Sequence, residues 1–454
     1  MTKTLERQGE LRRQISLTSA AAIVAGEVIA VGIFLTPAGM AKSLGSPFWL
    51  LVVWLVMGIM ALSGAFCYGE LAARFPEAGG GYVYLREAYG RRLAFIYGWK
   101  CFLVMDPGLT AALAAGLASY VGYFVKLPPA GLKLVAITAI GLLTAINLRG
   151  VKPGASMLRA LTVLKLGALT FIPFWAIALR LGNFANFLPL VAQRPGSAPL
   201  AGALAGALVS AFFSFGGWWD LSKLGGEVRE PGKTMPRALM LGVAAVTIVY
   251  VMTSAVFIYL VPIERVTSGE TFAAQAGEAL FGPLGGQVLS LIVVISVLGS
   301  LAAVMMAAPR VYFAMARDGL FFHGVAEVSE RTGSPSRAIV LQAMLASLLV
   351  VIGTFDQIIA YFIFVTVLFL ALTVASIFIL RKRTQAESNS GSVAGRFQIP
   401  GYPIPPIVFL TLVALLLILL GANNPKQALL GLLVAAAGWP AYHLFEGRRP
   451  RQLG

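Results

Sequence analysis

Five ionisable residues stand inside apolar stretches of the chain: Glu27, Lys100, Asp106, Lys165 and Asp220. On insertion scales a charge near the middle of a membrane helix costs about 2.5–3.5 kcal/mol, so each needs a partner or a task. The chemistry open to them is ion pairing, capture of a charged solute, or carriage of a proton. Glu27 is expected to pair with Lys165 or another basic residue, or to carry a coupling proton itself. Lys100 and Asp106, six residues apart, do not share a helix face, which predicts separate partners. Bond-making chemistry is not indicated. The two histidines, His323 and His443, have no ligand spacing, so no metal site is assigned. No nucleophile elbow, no phosphate-binding loop and no histidine beside a serine or cysteine motif is present, so neither an enzyme, a cofactor nor ATP is expected.

The elements that must position these charges are membrane helices. The 454 residues are 58% hydrophobic and 12% charged, with a mean hydropathy of +0.83, too little charge to cover a soluble protein of this size. Apolar runs near the ~20 residues that span a bilayer recur at 15–40, 48–72, 93–124, 130–148, 157–181, 200–222, 238–262, 284–309, 338–354, 357–380, 405–422 and 427–445. The expectation is an all-α membrane protein with twelve transmembrane helices. Of its 35 lysines and arginines, 26 fall in segments on the side of the N-terminus and seven on the other, which places both termini in the cytoplasm and assigns the net charge of +16 to topology, not to nucleic acid. A cytoplasmic segment 1–14 without signal-peptide character, a flexible connector 381–404 and a tail 446–454 complete the organisation. Arg381, Lys382 and Arg383 read as a solvated inner boundary, and Cys67 and Cys101 as small buried hydrophobes.

Two runs carry glycines where a spanning helix should be continuous: "GEVIAVGIF" (26–34) in the first and "FFSFGGWWDL" (212–221) in the sixth. Five spans separate their starts, so 15–181 and 200–380 form two candidate halves of opposite orientation, each opening on a broken helix. Such paired interruptions point to a transporter site at mid-membrane. Free N–H groups and the positive end of a half-helix hold a carboxylate, and free carbonyls hold an ammonium. The competing reading is that Gly26, Gly32, Gly216 and Gly217 only permit close helix packing.

The sequence resembles the amino acid–polyamine–organocation superfamily, and within it the L-type amino acid transporter-like branch. "GEVIAVGIFLTP" is similar to the first-helix motif G-x-I-I-G-S-G-I-F, and "FSFGGWWD" to the sixth-helix motif F-[AS]-[FY]-x-G-W. "GGEVREPGKTMPRAL" (225–239) resembles the loop that follows, "ELAARFPEAGGGYVYLREAYG" (70–90) the second-to-third helix segment, and "PRVYFAMARDGLFF" (309–322) the end of the eighth helix. The likeness covers nearly the whole chain.

The resemblance implies a LeuT-like 5+5 inverted repeat with broken helices 1 and 6, two peripheral helices at 405–445, and alternating access in the cell membrane. The backbone of Ile29, Ala30, Val31 and Gly32 would bind a substrate α-carboxylate. Carbonyls of Phe213, Ser214 and Phe215 would take the α-amino group. The ring of Phe213 would gate the site, while Gly216 and Gly217 leave room for a side chain. Lys165 matches a lysine lying against the first helix, either as a tether or, with Glu27, as a coupling group. Trp218 matches the motif tryptophan and is the better candidate of the tryptophan pair to line the path. Ala30-Val31-Gly32 departs from Gly-Ser-Gly, which implies a narrower pocket or weaker binding. The implied activity is secondary transport of small or neutral L-amino acids, by exchange or proton symport; the alternative is a transporter of cationic amino acids or polyamines. A channel or a non-transporting sensor would share the site. The outer loop "VKLPPAGLK" lacks the cysteine that links relatives to a glycoprotein subunit, so no such partner is expected.

Overall fold

In the computed structural model, residues 11–265, 269–353, 363–387 and 397–446 are described; they form helices and turns, with no strand among them. Ten of the described helical runs are long and apolar enough to cross a membrane, and Leu17–Val28 and Ser336–Ile352 are shorter apolar helices. The first span is divided. Helix α1 (Leu17–Val28) starts at Ser16, whose side chain accepts the Ser19 N–H, and stops before three non-helical residues; α2 (Gly32–Leu44) resumes the path. Ser46 then caps α3 (Pro47–Arg74), with proline in the first turn where its missing N–H costs nothing.

A short α4 (Gly81–Tyr89) leads into α5 (Arg91–Lys100), which passes through one π turn, Cys101–Met105, into α6 (Asp106–Phe124). Helices α7 (Pro129–Leu148), α8 (Val151–Ala178), α9 (Leu200–Phe215) and α10 (Pro231–Leu260) follow. Beyond them come α11 (Gly269–Phe281), α12 (Gly285–Ala307), α13 (Pro309–Arg317) and α14 (Ser336–Ile352). The last are α15 (Ile363–Glu387), α16 (Ile404–Asn423), α17 (Pro425–Ala436) and α18 (Gly438–Glu446).

Several expected boundaries move. The fifth span begins at Val151 rather than 157, so Lys152 lies within a helix, and the seventh begins at Pro231 rather than 238 because two prolines sit in its first turns and do not interrupt it. The start expected at 357 lies outside the described residues. Residues 381–387 of the expected connector continue α15 as helix, and Arg381 is no solvated boundary residue: its guanidinium is hydrogen-bonded to both oxygens of buried Glu70, and it stacks 3.9 Å from the Tyr402 ring centroid.

At one end of the bundle two segments are tied by backbone pairing. The N–H groups of Gln14 and Ile15 donate to Glu227 O at 2.8 and 2.9 Å, and Arg229 N–H donates to Ile15 O at 2.9 Å. The Glu227 carboxylate itself is buried and receives Nε and Nη2 of Arg310 at 2.9 and 2.8 Å. The approach to α1 is thereby stitched to the segment that follows α9.

Candidate functional site

A helix leaves its last four carbonyls without intrahelical partners, and at membrane depth no water supplies them. At the end of α1 three other helices do. Lys165 Nζ, from α8, donates to Gly26 O at 2.6 Å, Ile29 O at 2.7 Å and, on α12, Ser296 O at 2.9 Å. Ser300 Oγ lies 2.8 Å from Gly26 O and 3.1 Å from Ile29 O. Tyr250 OH, from α10, lies 2.9 Å from Val28 O and 2.8 Å from Ser214 O, so one hydroxyl serves both interrupted helices. The expected pairing of Glu27 with Lys165 is not made. The three protons of an ammonium meet three carbonyls instead, which use up its donors.

The second interruption follows Phe215. Gly217 adopts φ +108°, a conformation that side chains other than hydrogen rarely take, and a 3-10 turn, Trp218–Lys223, replaces the helical continuation. The two interruptions touch. A Cβ on Gly32 would lie 2.7 Å from Ser214 Oγ and 2.8 Å from its Cα, and Thr36 Oγ1 is 2.9 Å from the same hydroxyl. A Cβ on Gly217 would lie 2.8 Å from Cγ of Glu27. The glycines thus serve close approach, and that approach brings both breaks to one place.

Between them is a cavity of about 90 Å³. The first break contributes Glu27, Val28, Ala30, Val31 and Gly32; the second contributes Phe212, Phe213, Ser214, Gly216, Gly217 and Trp219. Met105, Leu109, Ala112 and Leu113 come from the third span, Val304 from α12, and Ile363 and Thr366 from α15. Two expected residues are absent from the wall. Ile29 is fully buried, its N–H bonded to Ala25 O at 3.1 Å and its carbonyl held by Lys165, while the Phe215 ring packs 5.1 Å from Tyr250 and 6.1 Å from Trp54. The Phe213 carbonyl accepts Gly216 N–H at 3.1 Å, and that of Ser214 is the Tyr250 acceptor. Of the tryptophan pair, Trp219 lines the cavity and stacks on Phe212, whereas Trp218 is buried against Tyr68 and Phe409.

Behind the cavity lies a charge cluster only partly foreseen. Lys223, the first residue beyond the sixth apolar run (200–222), is 1% exposed and donates to Asp106 Oδ1 at 3.0 Å and Asp220 Oδ2 at 2.9 Å. The spacing Asp220–Lys223, one helical turn just after the break, was the available signal. Asp106 Oδ2 is 3.3 Å from Tyr312 OH, which reaches Gln342 Oε1 at 2.5 Å; Gln342 in turn donates to Thr110 at 2.9 Å. Lys100 turns elsewhere, to Met105 Sδ at 2.9 Å and Thr366 Oγ1 at 3.4 Å, so Lys100 and Asp106 do have separate partners.

The model of the family described as amino acid permease matches residues 15–434. The chain belongs to the amino acid permease family. Across its length it is similar to the serine/threonine exchanger SteT of Bacillus subtilis (strain 168), 29% identical over 445 residues, covering 97% of this chain and 98% of the relative. It is also similar to the large neutral amino acids transporter small subunit 2 of Mus musculus, 29% identical over 446 residues (96% and 81%), and to the human cystine/glutamate transporter, 27% identical over 441 residues (96% and 86%). These relatives are amino acid transporters, and the family is one of multi-pass membrane transporters, not enzymes. As an amino acid permease, the chain departs from the first-helix motif at Ala30-Val31 and carries a carboxylate, Glu27, in the wall of its cavity.

Proposed function

We propose that this chain is a secondary transporter of small zwitterionic L-amino acids, working by alternating access in the cell membrane as an exchanger or a proton-coupled symporter. The observation that carries the reading is the small cavity between two facing helix interruptions, whose wall includes Val31 and Gly32 at the start of α2. The N–H groups of Val31 and Gly32 lie at the positive end of that helix and suit an α-carboxylate. The wall is otherwise mostly apolar and carries small residues at Ala30, Ala112, Gly216 and Gly217, which suits a small neutral side chain. The similarity to a serine/threonine exchanger points the same way.

In this reading the ten-helix core is a 5+5 inverted repeat within a twelve-helix bundle, with both termini cytoplasmic, and the stitched end at Gln14, Ile15 and Glu227 is the closed inner gate. Phe213 gates the opposite side. Lys165 tethers the first break to the fifth and eighth spans, because all its donors are spent on carbonyls. Glu27 is left as the candidate coupling group. No disulfide-linked glycoprotein subunit is required.

A second reading, transport of cationic amino acids or polyamines, is favoured by Glu27 in the cavity wall, and disfavoured by the apolar side chains that make up most of the rest of that wall. Uptake into liposomes distinguishes these. Labelled serine, alanine, leucine, lysine and putrescine are presented in turn, with the lumen empty, loaded with unlabelled substrate, or at another pH. Uptake of serine and alanine only into loaded vesicles means exchange; uptake driven by an inward proton gradient, lost in Glu27→Gln between about pH 5 and 8, means proton symport through Glu27. Uptake of lysine or putrescine alone replaces this reading with the second.

A further inference from the structure

The cavity wall contains one ionisable side chain among the described residues, and the group in hydrogen-bond reach of it is another acid, Asp220. Glu27 is 4% exposed, and neither carboxylate oxygen has a hydrogen-bond donor among the described residues. One proton shared between the two acids leaves their remaining free oxygens without donors, and a buried acid without donors is costly, so the site suits a cationic donor from outside the protein. The surroundings set the sign of that group. Asp220, Lys223 and Asp106 act on Glu27 electrostatically, three carboxylates in all against the one ammonium of Lys223, and Lys100 is engaged with Met105 and Thr366. Asp220 Oδ1 also lacks a donor. The carbonyl end of α1 adds its own partial negative charge beside Glu27.

The same cavity therefore has a positive end, at the first N–H groups of α2, and a negative end at Glu27. Meanwhile two of the three carbonyls that the family resemblance assigns to an amine, those of Phe213 and Ser214, already accept protein donors. We propose that Glu27 is the receptor for the substrate's protonated amine, a contact made by a side chain and not by backbone carbonyls alone. The assignment rests on the reading of this cavity as an amino acid site. The amine is the α-ammonium of a zwitterion or the side-chain ammonium of a short diamino acid; the chemistry is shared, and the two are separable by experiment.

The test is equilibrium binding to the purified full-length protein at one fixed pH and without a gradient, which removes any coupling role from the measurement. L-alanine, L-lactate and L-2,3-diaminopropionate are compared on the wild type, Glu27→Gln and Glu27→Ala. A charge-assisted hydrogen bond lost with the carboxylate corresponds to about tenfold or more in affinity. If the α-ammonium sits on Glu27, Glu27→Gln weakens alanine by that factor. If a side-chain ammonium does, Glu27→Gln spares alanine and abolishes a wild-type preference for diaminopropionate. In both cases lactate, which has no amine, binds weakly to every form. Unchanged affinities for alanine and diaminopropionate in Glu27→Gln overturn the proposal while leaving the amino acid site standing, and so does wild-type lactate binding equal to alanine. If the wild type binds neither amine, both the proposal and the site reading fall. Glu27→Gln conserves shape, so the outcome stands even where Glu27→Ala does not fold.

Discussion

Lys223 Nζ lies 3.0 Å from Asp106 Oδ1, joining the turn after the second helix break to the third span, and both side chains are 1% exposed. A buried pair adds little over an apolar replacement of both partners, but removing one member strands the other. In Lys223→Met two carboxylates, Asp106 and Asp220, lose their ammonium, and the expected cost is about 3–5 kcal/mol. In Asp106→Asn the ammonium keeps Asp220, so the cost falls to about 1–3 kcal/mol. Thermal unfolding in detergent micelles should rank Lys223→Met below Asp106→Asn and both below the wild type. The reverse order would mean that Asp220 alone does not hold Lys223.

Tyr250 offers a milder perturbation. Its hydroxyl is shared between Val28 O and Ser214 O, while its ring packs 5.1 Å from both Trp54 and Phe215. Tyr250→Phe keeps the ring contacts and removes a hydroxyl that touches both breaks through one atom. The expected loss is about 1–3 kcal/mol of stability, with substrate affinity falling more than the unfolding midpoint suggests, since the two walls of the cavity are no longer fixed to each other. Binding and thermal unfolding measured on the same preparation check this.

How much of this was legible beforehand follows from what a one-dimensional pattern carries. Hydropathy located the ten helical runs long enough to span among the described residues, and the glycines at 26, 32, 216 and 217 marked the region of the breaks, because a helix that must come apart or approach closely needs residues without a side chain. Which carbonyl is capped by which helix was not legible. Lys165, Tyr250 and Ser300 meet at the first break from three spans, and no spacing along the chain encodes that meeting. The burial of Lys223 is hidden for the same reason: a lysine after a span usually lies at the water boundary, and only the break that precedes it, with acids waiting on the third span and one turn back, draws it inside. Trp218 and Trp219 differ by one position, and the left-handed Gly217 decides which faces the cavity.

Lys165 is the residue at which charge and shape should separate. Lys165→Ala leaves Gly26 O and Ile29 O with Ser300 as their remaining side-chain donor and opens a void where a 1% exposed side chain stood. The expected result is a fold that inserts and unfolds at lower temperature, by about 2–5 kcal/mol for the lost volume and bonds, with transport abolished. Lys165→Arg keeps the charge but brings a planar, larger group into a closed site, so it should not restore transport. Rescue by arginine would mean that charge alone matters at this position. Transport assays in liposomes, paired with unfolding curves, separate the two.

The closest approach between the breaks gives the sharpest steric test. A Cβ at Gly32 meets the Ser214 Oγ, Cα and Cβ at 2.7, 2.8 and 2.9 Å, and the Cα cannot move aside as the tip of a side chain would. Gly32→Ala must therefore push α2 away from α9 at the point where they form the cavity. Overpacking of this kind costs about 1–3 kcal/mol, tolerable for a bundle of this size, yet the displacement falls on the N–H groups proposed to hold the substrate. Gly206, on α9 itself, is the matched control: nothing lies within 4 Å of its added Cβ, and alanine in a helix interior is favoured over glycine by roughly 0.5–1 kcal/mol. Gly32→Ala should bind substrate at least tenfold more weakly while Gly206→Ala binds as the wild type and unfolds no earlier. Equal binding by both variants would mean that the contact between the two interruptions is packing alone and that the substrate does not lie between them.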